Sequence, residues 1–146
     1  MLGISRKTDY AVRCMVYLAQ EQKLTTIDQL ACETNSPEKF ITKALQEISR
    51  TGLVKSFRGS KGGVILGRRP EDITLLEIVE AVDGPIVPHH GVSARHQSAT
   101  MERNSVYPVW GHVQSLVRDH LQRITLRDLV TGTVNAEACL PFTQKP

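Results

Sequence analysis

The sequence predicts a mainly helical chain with one small β-hairpin, and three observations predict it. Apolar residues recur at helical spacing in two stretches before residue 50, with a capping box between them. The period then switches to short extended runs around a glycine-rich turn, and helical spacing returns over 107–121. Ala11, Val12, Met15, Val16, Leu18 and Ala19 mark a first helix over about 7–20, with Asp9 near its positive end. Thr26-Ile27-Asp28-Gln29 reads as a capping box that opens a short helix to about Cys32. Glu33-Thr34-Asn35 is the turn. Ser36-Pro37 follows, an N-cap hydroxyl and a proline at the first helical position, where the missing N–H costs nothing. That third helix runs to about Arg50 and stops at Thr51-Gly52.

Beyond Gly52, Leu53-Val54-Lys55-Ser56-Phe57-Arg58 is extended, Gly59-Ser60-Lys61-Gly62-Gly63 is a turn, and Val64-Ile65-Leu66 is the return strand. Thr74-Leu75-Leu76-Glu77 is a second capping box, and its helix ends at Asp83-Gly84-Pro85. Residues 86–105 show no period; a loop of that length is unusual inside a compact domain and is commonly functional. Val109, Trp110, Val113, Leu116, Val117 and Leu121 then form one stripe, Thr125-Leu126-Arg127-Asp128 caps a last short helix, and the tail after Thr131 reads as frayed. The expected division is 1–70, a linking helix over 71–85, the loop 86–105, a helical pair over 106–130, and a flexible tail over 131–146.

At 146 residues the chain makes one domain, or a small domain with an appendage. Its 40% apolar and 23% charged residues, with a mean hydropathy of −0.20, are ordinary for a soluble globular protein and exclude disordered and low-complexity classes. No apolar run approaches the ~18 residues that span a bilayer, and no apolar signal core precedes Arg6 and Lys7. Cys14, Cys32 and Cys139 lie too far apart for a disulfide framework or a zinc pattern, which suits a reducing cytoplasm. The net charge of +3 hides an asymmetry. Residues 1–70 carry 12 Lys and Arg against 6 Asp and Glu, whereas residues 71–146 carry 6 against 9. The first half therefore favours a polyanion, although charge scatters unevenly in any short chain.

Two helices joined by a tight turn and followed by a hairpin make a winged helix-turn-helix. On the third helix Phe40, Ile41, Ala44, Leu45 and Ile48 form the expected buried stripe. The opposite face shows Glu38, Lys39, Thr42, Lys43 and Gln46, side chains able to bond base edges in a major groove. The plainer reading of such a face is a solvated one. The wing adds weight to the first, because Arg58, Ser60, Lys61 and Gly62 put a basic, glycine-rich tip beside it. Arg58 is placed to reach a narrow minor groove, and bare backbone lets the loop approach phosphate. The glycines also suit ordinary turn geometry.

Several blocks in order resemble the Rrf2-type bacterial transcription regulators, the IscR/NsrR/CymR family. They are Ile4-Ser5-Arg6-Lys7-Thr8-Asp9-Tyr10-Ala11, the wing from Gly52-Leu53-Val54 through Gly62-Gly63, Ile73-Thr74-Leu75-Leu76-Glu77-Ile78-Val79 with Ala81-Val82-Asp83-Gly84-Pro85, Val109-Trp110, and Ile124-Thr125-Leu126-Arg127-Asp128-Leu129. The resemblance covers residues 1 to about 130. It implies a homodimeric regulator, usually a repressor, on a palindromic operator in double-stranded DNA. The recognition helix and Arg58 would touch DNA, and the long helix over 107–121 would be a dimerisation helix crossing to the partner. The apolar stripe supports that last point independently, since a chain this small cannot easily bury it alone.

Many members of the resembled family hold an iron–sulfur cluster through three cysteines between the two C-terminal helices. Residues 86–105 contain none, although Ser93, Ser98, Asn104 and Ser105 stand at roughly cysteine-like spacings. No cofactor is therefore expected. His89, His90 and His96 offer imidazoles to a metal, against the commoner reading of solvated loop histidines. Asp9 stands where some members supply a carboxylate ligand, against its simpler role at a helix N-terminus. Cys32 is a candidate redox residue, while Cys14 among apolar neighbours reads as core. No phosphate loop, nucleophile elbow or His-Glu-x-x-His is present, so an enzyme is not expected. The alternative function is a winged-helix adaptor that binds a protein partner without specific DNA binding. No membrane partner is expected.

Overall fold

A computed structural model describes residues 4–86 and 106–134. Among these, six α-helices and one hairpin follow in the order α1 (Arg6–Glu21), α2 (Ile27–Thr34), α3 (Glu38–Arg50), β1 (Val54–Phe57), β2 (Gly63–Leu66), α4 (Leu75–Asp83), α5 (Val106–Arg123) and α6 (Leu126–Thr131). A 3-10 turn at Pro70–Asp72 precedes α4. The mainly helical class with a single hairpin is the one the sequence predicts. The loop within 87–105 and the tail from 135 lie outside the described residues.

Hydroxyl side chains start most of the helices. Ser5 accepts the Thr8 N–H at 3.1 Å and begins α1 at Arg6, one residue earlier than its apolar spacing suggests. Thr74 and Thr125 form complete capping boxes with Glu77 and Asp128. Thr26 makes its cap bond to the Gln29 N–H, but the Gln29 amide turns away and donates to the Tyr17 hydroxyl at 3.1 Å, so only half the expected box forms. Ser36 does not cap α3. The left-handed turn at Asn35, with φ of 47°, turns Ser36 inward, and its hydroxyl donates to the Thr34 carbonyl at 3.0 Å. Pro37 takes the cap position with no side-chain hydrogen bond.

One core gathers these elements. Ala11, Cys14, Met15 and Leu18 of α1 meet Leu30 of α2 and Ile41, Ala44 and Ile48 of α3 over buried Leu53, Val54 and Val64 of the wing. The same core continues into Ile73, Ile78, Val82 and Leu126, so α4 and α6 close the underside of the first 70 residues. The hairpin pairs Val54 with Leu66 and Phe57 with Gly63, in antiparallel register. Thr25 and Val64 exchange two backbone bonds of 2.8 and 2.9 Å, which dock the wing onto the approach to α2. A glycine must stand at Gly63, because a Cβ there would lie 2.6 Å from the Thr25 carbonyl oxygen.

α5 rests on α4 through a second, smaller cluster of Leu76, Val79 and Leu121, with Val117 against it. An ion pair between Glu80 and Arg118 reinforces the contact. The rest of the expected stripe is not buried within one chain. Val109, Trp110 and Leu116 are 62%, 52% and 55% exposed.

Candidate nucleic-acid interface

α3 is held from behind by its apolar stripe and presents its other face outward. Ile41, Ala44, Leu45 and Ile48 are buried, whereas Lys39, Thr42, Lys43 and Gln46 are all exposed on the far side. The 3.6-residue period alone brings about this separation. Phe40 departs from the expected stripe. It lies at the stripe's edge, where the core is already filled, and turns toward α1. Its ring sits 5.8 Å from that of Tyr10 and remains 45% exposed. Arg13 lies 6.0 Å over the same Tyr10 ring and pairs with Asp9 at 2.7 Å, so the Asp9 carboxylate serves a surface ion pair one turn on.

The wing stands on the opposite flank of α3. Arg58, Ser60 and Lys61 are exposed at its tip and Gly62 is half-buried. The bare backbone at Gly62 is demanded by the hairpin itself: a Cβ there would fall 2.4 Å from the Phe57 carbonyl oxygen. Among the described residues, Lys39, Lys43, Arg50, Arg58 and Lys61 form no ion pair; of the two acids of α3, Glu38 is exposed at the start of this face and Glu47 is neutralised by Lys7 at 2.8 Å. Five unpaired cations thus stand against the single exposed carboxylate of Glu38, an excess of positive charge that a polyanion selects. Between α3 and the wing runs a cleft of about 530 Å³. Ser49, Arg50, Ser56 and Phe57 line it and were not among the expected site residues. The signal for them was present: Ser49 follows Thr42 by seven residues on one helix flank, and Ser56 alternates with Arg58 along β1.

The other candidates are dispersed. Cys14 is fully buried, and burial pushes its thiol up to about 11, against a weak contact with the Thr34 hydroxyl that acts the other way. Cys32 is exposed on α2. His89, His90, His96 and Cys139 lie outside the described residues. Among the described residues no three His, Cys, Asp or Glu come together to hold a metal ion. No helix there is long and apolar enough to cross a membrane.

A turn-linked pair of helices whose second member bares a basic polar face, followed by a basic hairpin, defines a winged helix-turn-helix protein of the DNA-binding class. A profile of the Rrf2 family, described as an iron-dependent transcriptional regulator, matches residues 4–132, and the chain belongs to that family. It is a DNA-binding transcription regulator and not an enzyme. The regulator CymR of Bacillus subtilis is 30% identical over 143 residues, spanning 97% of this chain and 99% of CymR. NsrR of Halalkalibacterium halodurans is 28% identical over 144 residues, 95% of this chain and 97% of NsrR. In structure the chain is similar to B. subtilis CymR, the global cysteine regulator, with a TM-score of 0.72 and 30% identity over 90% of this chain and 98% of that one. It is similar also to IscR of T. potens, with a TM-score of 0.69 and 27% identity over 93% and 91%. The family description speaks of iron, but the described residues supply no ligand set for it and residues 86–105 hold no cysteine.

Proposed function

We propose that two copies of this chain bind a palindromic operator as a homodimer and repress transcription by occupying it. Residues 1–70 meet the DNA and residues 106–130 pair the two copies. α3 enters the major groove, where Lys39, Thr42, Lys43 and Gln46 reach base edges and phosphates. Arg58 reaches into the adjacent minor groove, with Ser60, Lys61 and the Gly62 backbone along its rim. The observation that carries this reading is the unpaired basic face shared by α3 and the wing tip.

The pairing of copies is supported by Val109, Trp110 and Leu116, an apolar face on α5 that its own chain leaves open. An effector acting near 86–105 modulates affinity. That segment joins the end of α4 to the start of α5, and α4 ends on Asp83, whose carboxylate accepts from the Ser5 hydroxyl at 2.7 Å at the start of α1. Lys7, two residues along, bridges α1 to α3 through Glu47. A contiguous set of bonds thus leads from the end of α4 to the recognition helix.

The test is a mobility shift on an operator fragment over a range of salt. Binding should fall steeply with salt, and Lys43→Ala and Arg58→Ala should each weaken it, a base contact by about 1–3 kcal/mol with relaxed local specificity. Two variants that bind like the wild type would remove the interface from this face. Salt-insensitive binding to a protein partner, without DNA binding, would favour the adaptor role.

A further inference from the structure

We propose that the cleft between α3 and the wing is a phosphate-binding channel that seats the backbone of one DNA strand, gripped by Arg50, Ser49 and Ser56. The inference rests on the docking proposed above. If α3 lies in the major groove and the wing tip in the adjoining minor groove, the strand dividing the two grooves has to pass between them. The cleft is built for that occupant. Its floor is apolar, with Ile27, Leu45 and Val64, and suits the deoxyribose. Its walls carry Thr42, Gln46 and Ser49 from one flank of α3 and Ser56 from β1, all donors to phosphate oxygen. Arg50 and Arg58 add two guanidinium groups, and no carboxylate lines the cleft. Neither acid of α3 lines it: Glu38 stands one turn before Thr42, at the start of the helix, and Glu47 is paired with Lys7. Arg50 is exposed and, among the described residues, has no acidic partner. A channel that offers hydroxyl and amide donors, two guanidinium groups and no carboxylate above an apolar floor matches a sugar–phosphate chain and does not suit a cationic ligand.

Arg50 therefore binds DNA without reading it. The experiment measures binding of the full-length protein to a random-sequence duplex of about 30 base pairs by fluorescence anisotropy over a salt series. Arg50→Ala should weaken binding by about tenfold at moderate salt, equally for operator and random sequence. It should also reduce the salt slope by about 1. Arg50→Lys should keep the slope. The pair Ser49→Ala with Ser56→Ala should weaken binding while leaving the slope unchanged, because hydroxyls displace no counterion. Thermal unfolding matching the wild type shows that each variant is folded. An Arg50→Ala protein with the wild-type slope, alongside an Arg58→Ala protein with a reduced one, overturns the channel and leaves the DNA interface standing. Failure of the wild type to bind any duplex overturns the docking itself.

Discussion

Gly67 has no room for a side chain, since a Cβ there would sit 2.1 Å from the carbonyl oxygen of Gly52. Gly67→Ala should therefore destabilise the fold by about 1–3 kcal/mol, the usual cost of forcing atoms into a packed site, as read from urea unfolding. An unchanged midpoint would mean that the hairpin base can move aside. The two described cysteines should separate as cleanly. The Cys14 thiol, buried and raised to about 11, stays protonated near neutral pH, while Cys32 is open to solvent. Peptide mapping after brief alkylation of the native protein should find Cys32 modified and Cys14 only on unfolding. Asp83 carries a pH signature. Burial pushes its carboxyl up, but hydrogen bonds from Thr8 and Ser5, with Lys7 nearby, outweigh it and hold the group below the usual carboxylate range. A depressed carboxyl contributes stability above its unfolded pKa and loses it as pH falls through its folded value. Asp83→Asn should thus lower the melting temperature at pH 7 and lose its effect in strong acid. A deficit that persists there would point to packing instead.

The capping boxes at α4 and α6 act as one joint. The Leu75 N–H donates to the Ile124 carbonyl and the Leu126 N–H to the Ile73 carbonyl, both at 2.8 Å, so the two helix starts are tied back to back. Thr74→Ala and Thr125→Ala should each cost about 1 kcal/mol, the ordinary worth of an N-cap. Because the caps share this joint, the double variant should depart from the sum of the singles; strict additivity in denaturant unfolding would show two independent caps. Most elements could be read from the linear chain, because caps, breakers and apolar period are local signals. The two misreadings near α3 are not local. Ser36 is drawn inward by the left-handed turn at Asn35, and Phe40 is displaced by a core that Ile41, Ala44, Leu45 and Ile48 already fill.

For the assembled molecule, the open apolar face of α5 is the feature with the largest consequence. Trp110→Glu or Leu116→Glu places a charge where the proposed partner copy packs, so each should shift the protein to monomer in sedimentation while leaving the helical circular dichroism of a single chain intact. Operator affinity should fall with it, because two half-sites about one helical turn apart are then bound singly. A variant that stays dimeric would move the interface off this face.

Periodicity and capping were enough to recover the helices, the hairpin and the basic residues that face outward, since each depends on residues only a few positions apart. The family blocks added the class of regulator. The cleft between helix and wing was out of reach, because Ser49 and Arg50 meet Ser56 and Arg58 only after the Thr25–Val64 bridge fixes how far the hairpin stands from α3. The split of the α5 stripe was hidden for the same reason. Whether Leu121 or Trp110 is covered depends on where α4 ends its contact with α5, a matter of packing between segments distant in the chain and not of the residues themselves.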